Sequence, residues 1–180
     1  MVAFVTEQGV EGASVLEIGG GIGDVQLELL RRGAAHATNL ELVDTYDADA
    51  VALASAAGLA DRVTRRQLDI AIAPDAVDAH DFVILHRVVC CYADYQRLLT
   101  AAADHARRAL VFSYPARNLL VRLLFGAENI GRRLKRNPFR TFLHDPMAMT
   151  AAAEHGDLET SYRHRGLGWH IVGLTTVSEG

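Results

Sequence analysis

Hydrophobic and polar positions follow two alternating patterns along this chain. Short apolar runs of strand length recur, and most are followed by a segment with apolar residues at helical spacing. The pattern predicts strands over residues 14–18, 37–42, 62–66, 81–85, 109–113, 158–165 and 168–177. It predicts helices over residues 24–32, 45–57, 94–106 and 145–156, and one or two amphipathic helices within 116–140. Strands that alternate with helices indicate an α/β fold, a doubly wound and mostly parallel sheet with helices on both faces.

The junction between the first predicted strand and the first predicted helix carries the strongest chemical signal. The strand ends at Glu17-Ile18, and the helical pattern begins at Asp24. Between them lies a glycine cluster, Gly19, Gly20, Gly21 and Gly23. A strand, a tight turn and a helix N-terminus in this order bring backbone N–H groups close to a nucleotide-like ligand. The dinucleotide fingerprint G-x-G-x-x-G would place its third glycine at position 24, where this chain has an aspartate.

The spacing Glu17-x-Gly19-x-Gly21-x-Gly23 resembles motif I of the class I S-adenosylmethionine-dependent methyltransferases. The order of predicted elements over roughly residues 12–178 is similar to the layout of that family. The resemblance implies one domain over residues 1–180 and a seven-stranded sheet of order 3-2-1-4-5-7-6 with its last strand antiparallel. It also implies S-adenosyl-L-methionine as cofactor and S-adenosyl-L-homocysteine as product.

Glu41 is the predicted ribose-binding carboxylate, because it ends the second strand about 20 residues beyond the glycines. Asp44 is the competing candidate, although its position past the strand end is typical of a turn residue or helix cap. By the resemblance, Asp69 reads the adenine amino group, Ile70 contacts the ring, and Glu17 helps to hold the amino-acid end of the cofactor. The predicted cofactor-binding residues are Glu17, Gly19, Gly20, Gly21, Gly23, Glu41, Leu42, Asp69, Ile70 and His86.

The residues that follow the fourth and fifth strands are predicted to face the acceptor, since ligands of doubly wound sheets bind at the carboxyl ends of the strands. His86 is the candidate general base, and the alternative is a structural histidine at the sheet rim. A base is needed only when the acceptor must lose a proton. The candidate acceptor-binding residues are Arg87, Tyr92, Tyr114 and His144.

No metal site is predicted, because the 8 histidines are scattered without the spacing of known metal motifs. The adjacent Cys90 and Cys91 suit packing better than nucleophilic catalysis. A net charge of −4 predicts no general affinity for nucleic acid or for anionic membranes. The sequence shows neither a signal peptide nor an apolar run of membrane-spanning length, so we expect a cytoplasmic protein, either a monomer or a homodimer.

Residues 116–140 differ from the rest of this acidic chain because they are strongly basic. The stretch could form a lid over the site, a patch on anionic lipid or a dimer face, or it could simply be a packed helix with solvated arginines. The lid is favoured among the functional uses, because the stretch directly follows the fifth strand. Only about a dozen residues precede the first strand, so we expect the cofactor to be covered either from elsewhere or by a longer N-terminus.

The sequence therefore favours a methyltransferase that acts at oxygen or nitrogen of a small or medium-sized organic acceptor. One alternative is a catalytically silent module that binds S-adenosylmethionine. A second, an NAD-dependent oxidoreductase of the short-chain type, needs a Tyr-x-x-x-Lys pair. The sole lysine, Lys135, has Gly131 four residues before it, so that pair is absent.

Overall fold

All strands join one sheet in the computed structural model, which describes residues 1–137 and 139–177. The strands are β1 (Ser14–Ile18), β2 (His36–Glu41), β3 (Val63–Gln67), β4 (His80–Leu85), β5 (Ala106–Pro115), β6 (Leu158–Arg165) and β7 (Trp169–Thr176). Their order is β3-β2-β1-β4-β5-β7-β6, and β7 runs antiparallel to both of its neighbours. The predicted fold class, strand order and antiparallel last strand are therefore confirmed.

Helices cover both faces of this sheet. They are α1 (Val2–Glu7), α2 (Asp24–Arg31), α3 (Asp47–Ala56), α4 (Tyr95–Asp104), α5 (Leu119–Leu134) and α6 (Pro146–Ala153). Alternate residues of β1 point to opposite faces: Val15 packs in a core cluster with α1, α2 and α3, whereas Leu16 packs in a cluster with α4 and α6. Among the described residues, no helix combines the length and apolarity that a bilayer span requires.

Two elements differ from the sequence prediction. The strand predicted over 109–113 is longer, because Ala106–Pro115 pairs with β4 at one end and with β7 at the other. The sequence analysis did not predict α1, whose Phe4 and Val5 are buried. Within 116–140 the described residues form one helix, α5 (Leu119–Leu134), and Pro138 lies outside the described residues, as do residues 178–180.

The N-terminal helix reaches across the molecule to the last strand. The ring of Phe4 lies where a Cβ on Gly173 of β7 would be, at 2.6 Å. Phe4 is buried and stacks on Tyr162 of β6, with ring centroids 5.2 Å apart. The contact closes the core between α1 and the C-terminal hairpin.

We predict that Gly173→Ala lowers the free energy of unfolding by about 1–3 kcal/mol, because the new methyl group must displace a packed ring. Gly126→Ala is the matched control: a Cβ there meets no atom of the described residues within 4 Å, and Gly126 lies in the exposed middle of α5. The control should stabilise the protein by up to about 1 kcal/mol through helix propensity. Denaturant unfolding of both variants measures the two effects, and equal changes would contradict the packing described here.

Candidate functional site

The main cleft opens where the strand order reverses, between the carboxyl ends of β1 and β4. Successive strands step from β1 to β3 on one side and from β4 to β5 on the other, which makes this edge the switch point of the sheet. The cleft has a volume of about 490 Å³, in the range of small-molecule sites. Its apolar lining includes Ile18, Leu40, Leu42, Val43, Leu68, Ile70, Val88, Leu98 and Phe139. Its polar side chains are Glu41, Thr45, Tyr46, Asp69, Arg87, Cys91 and Tyr92.

The predicted glycine loop forms one wall of this cleft. Gly19 and Gly21 line it. Gly20 and Gly23 are outside the lining and pack against side chains of the protein interior. At Gly20 a Cβ would lie 2.4 Å from Asn39 Nδ2 and 2.7 Å from Glu17 Cδ, so the backbone there lies directly on two buried side chains. Gly23 is the N-cap of α2 in a left-handed conformation, with φ of 83°.

Arg65 on β3 holds the loop in place, and the sequence analysis missed it. Its guanidinium donates to the carbonyl oxygen of Gly21 at 2.7 Å and to Asn39 Oδ1 at 3.0 Å. It also pairs with Asp47 at 2.5 Å. The signal that could have found it is the strand register, because Arg65 is directly opposite Asn39 in the β2–β3 pair.

Glu17 lies beneath the glycine loop and does not line the cleft. It is 1% exposed, and its carboxylate accepts a hydrogen bond from the backbone N–H of Gln26 in α2 at 3.2 Å. Burial raises the pKa of Glu17 to about 8, because the ionised form loses its hydration. Its position supports the loop and the first turn of α2, so a contact with the amino-acid end of a cofactor would pass through the loop backbone.

Glu41 occupies the place predicted for the ribose carboxylate, at the end of β2 and in the cleft wall. Its Oε1 accepts a hydrogen bond from the N–H of Gly21, which joins the two predicted cofactor elements directly. Leu42 follows it in the lining, whereas Asp44 is exposed and outside the lining. This arrangement distinguishes the two acids that compete in the sequence.

Asp69 and Tyr92 are joined by a hydrogen bond across the cleft. The Tyr92 hydroxyl donates to Asp69 Oδ2 at 2.9 Å, and Asp69 also accepts from the N–H of Ala71 at 3.0 Å. Burial, and then the hydrogen bond to Asp69, raise the pKa of Tyr92 to about 12. The predicted adenine-reading acid and a predicted acceptor residue thus form one unit. Ile70 is buried beside them and contributes to the cleft lining.

The residues after β4 separate into two groups. Arg87 lines the cleft, with its guanidinium carbon 5.0 Å from the centroid of the Trp169 ring. Its backbone has φ of 61° and donates its N–H to Ser113 Oγ at 2.9 Å. His86 is half-buried and outside the cleft lining, and burial lowers its pKa. This position argues against His86 as a base that touches the acceptor.

Tyr114 and His144 lie outside the cleft and together line a separate small pocket. Tyr114 is buried within β5, where it is opposite His170 of β7, because the strand runs beyond its predicted end. His144 donates its Nε2–H to the backbone oxygen of Tyr92, 3.0 Å away, so it supports the segment that carries Tyr92. Of the described residues in 116–140, Phe139 alone lines the cleft.

Comparison with known proteins shows the fold. No family model and no curated protein matches the sequence. Among solved structures, magnesium protoporphyrin IX methyltransferase from Synechocystis PCC 6803 with bound SAH is 18% identical with a TM-score of 0.77, covering 98% of this chain and 80% of that one. An O-methyltransferase family protein from Burkholderia thailandensis is 19% identical with a TM-score of 0.78. The match covers 100% of this chain and 56% of that one.

An S-adenosylmethionine-dependent methyltransferase from Mesorhizobium loti is 14% identical with a TM-score of 0.66, covering 92% of each chain. The chain therefore has the class I methyltransferase fold that its glycine motif indicates.

We predict that Glu17 makes the free energy of unfolding depend on pH. The folded protein retains the Glu17 proton up to pH about 8, whereas the unfolded chain releases it near 4.5. The folded state therefore binds more protons in this window, and this contribution to stability is complete below pH 4.5 and lost as the pH rises to about 8.

Glu17→Gln should remove this loss. The free energy of unfolding of the variant should therefore rise relative to that of the wild type by up to about 1.4 kcal/mol per pH unit between pH 4.5 and about 8. Denaturant unfolding at a series of pH values measures the difference, with the exposed Glu7→Gln as a surface control. A difference that stays constant with pH would show that Glu17 is ionised in the folded protein.

Proposed function

We propose that this chain is an S-adenosylmethionine-dependent methyltransferase acting at oxygen or nitrogen of a small or medium-sized organic acceptor. The observation that carries the proposal is the hydrogen bond between Glu41 and the N–H of Gly21. It places a carboxylate suited to a ribose diol against a glycine loop at the switch point of the sheet. Asp24 at the position of a third fingerprint glycine disfavours a dinucleotide.

The residues of the cleft fit this cofactor part by part. Glu41 would take the ribose hydroxyls, and the backbone of Gly19 and Gly21 allows close approach of the amino-acid end. Asp69 would take the adenine amino group, with Ile70 against the ring. When bound, the cofactor would supply an electrophilic methyl group on a positively charged sulfur: the acceptor oxygen or nitrogen would bond to the methyl carbon, and the neutral thioether, S-adenosylhomocysteine, would leave.

The part of the cleft away from the glycine loop would orient the acceptor. Arg87 offers a cation for an acidic acceptor group, Tyr92 a hydroxyl, and Phe139 an apolar surface. Correct orientation can contribute about 7–11 kcal/mol to such a displacement, so a dedicated base is needed only for an acceptor that must lose a proton. The phenol of Tyr92 has a pKa of about 12 and acts here as a hydrogen-bond donor.

We infer a small-molecule acceptor, no nucleic-acid partner and a cytoplasmic location. The net charge of −4 supports the exclusion of nucleic acid. Both thiols, Cys90 and Cys91, are free, which supports a reducing compartment. The same cleft also suits a silent S-adenosylmethionine-binding module. For an acceptor that must lose a proton, the position of His86 outside the lining favours that second candidate.

We predict that Glu41→Ala weakens binding of S-adenosylmethionine and S-adenosylhomocysteine about ten- to hundredfold, because a charge-assisted pair of hydrogen bonds is lost. Asp44→Ala, three residues away and outside the lining, should change affinity less than about twofold. Calorimetric titration with both ligands and with NAD measures this. Tighter binding of NAD than of either sulfur ligand would contradict the proposal, and equal small effects would remove Glu41 from the site.

We predict transfer of a labelled methyl group to at least one member of a panel of carboxylic acids, phenols and amines. With the best acceptor, His86→Gln should reduce the rate less than about tenfold, because its ring lies outside the cleft. A general base would instead cost about 10²–10⁴-fold. Binding of S-adenosylmethionine without transfer to any acceptor would identify the silent module.

A further inference from the structure

Helix α5 exposes its apolar side. Leu119, Leu123, Ile130 and Leu134 are between 63% and 80% exposed. Their spacing of i, i+4, i+11 and i+15 places them on one stripe of the helix, which we call the α5 stripe. An amphipathic helix normally packs this side against the core, so a continuous exposed stripe indicates a surface for something else.

The polar side of α5 is the side that contacts the protein. Asn129 Nδ2 donates to the backbone oxygen of Thr141 at 2.7 Å, and Arg132 donates to Thr141 Oγ1 at 3.1 Å. Arg132 also lies 4.7 Å above the centroid of the Phe139 ring. These contacts fix the rotation of the helix about its axis. Because these contacts hold the opposite side of the helix against the protein, the α5 stripe points away from the molecule.

The tip of the C-terminal hairpin extends this apolar surface. Leu167, between β6 and β7, is 98% exposed. It lies at the start of α5, because Asn118 donates to its backbone oxygen at 3.5 Å and Ala116 donates to that of Gly168 at 2.9 Å. Strand pairing and the helix N-terminus thus hold Leu167 near the first turn of α5, where the α5 stripe begins at Leu119.

The positive charge around the α5 stripe indicates what kind of partner would bind there. Seven basic residues and one acid, Glu128, fall within 116–140, in a chain whose net charge is −4. The basic residues are Arg117, Arg122, Arg132, Arg133, Lys135, Arg136 and Arg140. Arg117 pairs with Asp145 at 2.9 Å and Arg132 with Glu128 at 3.3 Å, so within the part of the chain that the structure describes the other five remain for headgroups. Two copies of such a helix would repel each other face to face, whereas phosphate headgroups complement them.

We propose that α5 docks this protein on an anionic lipid bilayer, lying in the interface plane with the α5 stripe and Leu167 inserted among the acyl chains. Helices of this kind combine an apolar face with a polar face rich in arginine and lysine. The docking involves no chemistry of the cleft and is independent of the proposed methyl transfer.

Co-sedimentation of the full chain with vesicles tests the proposal. We expect binding to phosphatidylcholine vesicles that contain about 30% phosphatidylglycerol, and much weaker binding to phosphatidylcholine alone. Raising the salt from about 0.1 M to about 0.5 M should reduce the binding, because screening weakens the headgroup contacts. Equal binding to both vesicle types, or none to either, would overturn the proposal.

Leu123→Glu with Ile130→Glu should reduce the vesicle partition at least about tenfold per residue, because each loses an inserted apolar side chain and gains a repelled charge. Val51→Glu on α3, where the side chain is also exposed at 61%, is the matched control and should bind as the wild type does. Both variants should keep the wild-type circular dichroism and S-adenosylmethionine titration, since they alter exposed positions outside the cleft.

Light scattering over a range of protein concentrations tests the competing explanation, a dimer formed through α5. A dimer that the α5 double variant disperses, without any vesicle binding by the wild type, would assign this face to a second copy and overturn the lipid proposal. Vesicle binding that the double variant retains in full would also overturn it.

Discussion

The cleft depends on the close approach of the glycine-loop backbone to two buried side chains. At Gly20 no Cβ fits, because Asn39 and Glu17 occupy its place at 2.4 and 2.7 Å. With the loop in this position, the N–H of Gly21 meets the Glu41 carboxylate, and the Gly21 carbonyl meets Arg65. One polar layer beneath the loop thus positions the wall that a nucleoside would contact.

The parts of the site that could be predicted are those determined by residues close together in the chain. The strand, glycine loop and helix follow one another within about a dozen residues, and Glu41 follows from a fixed distance along a strand–helix–strand unit. Arg65 could not be predicted in this way. Its partner Asn39 is 26 residues away, and only the register of β2 and β3 brings the two side chains together.

Element ends and helix rotation account for the remaining differences. The sequence analysis ends the fifth strand at Ser113, whereas pairing with β7 continues it through Pro115 and leaves Tyr114 inside the sheet. Periodicity correctly predicts a helix within 116–140 but does not show which side faces the protein. That side is determined by Asn129 and Arg132, whose hydrogen bonds to Thr141 turn the apolar side outward.

The insertion of β7 between β5 and β6 has a consequence for synthesis on the ribosome. Phe4 packs against Gly173, which is made much later, and one edge of β5 has no partner until Trp169–Thr176 leaves the exit tunnel. An unpaired strand edge and an uncovered aromatic ring are features that promote aggregation. The nascent chain must therefore keep both in solution, or shielded by a chaperone, until β7 has been translated.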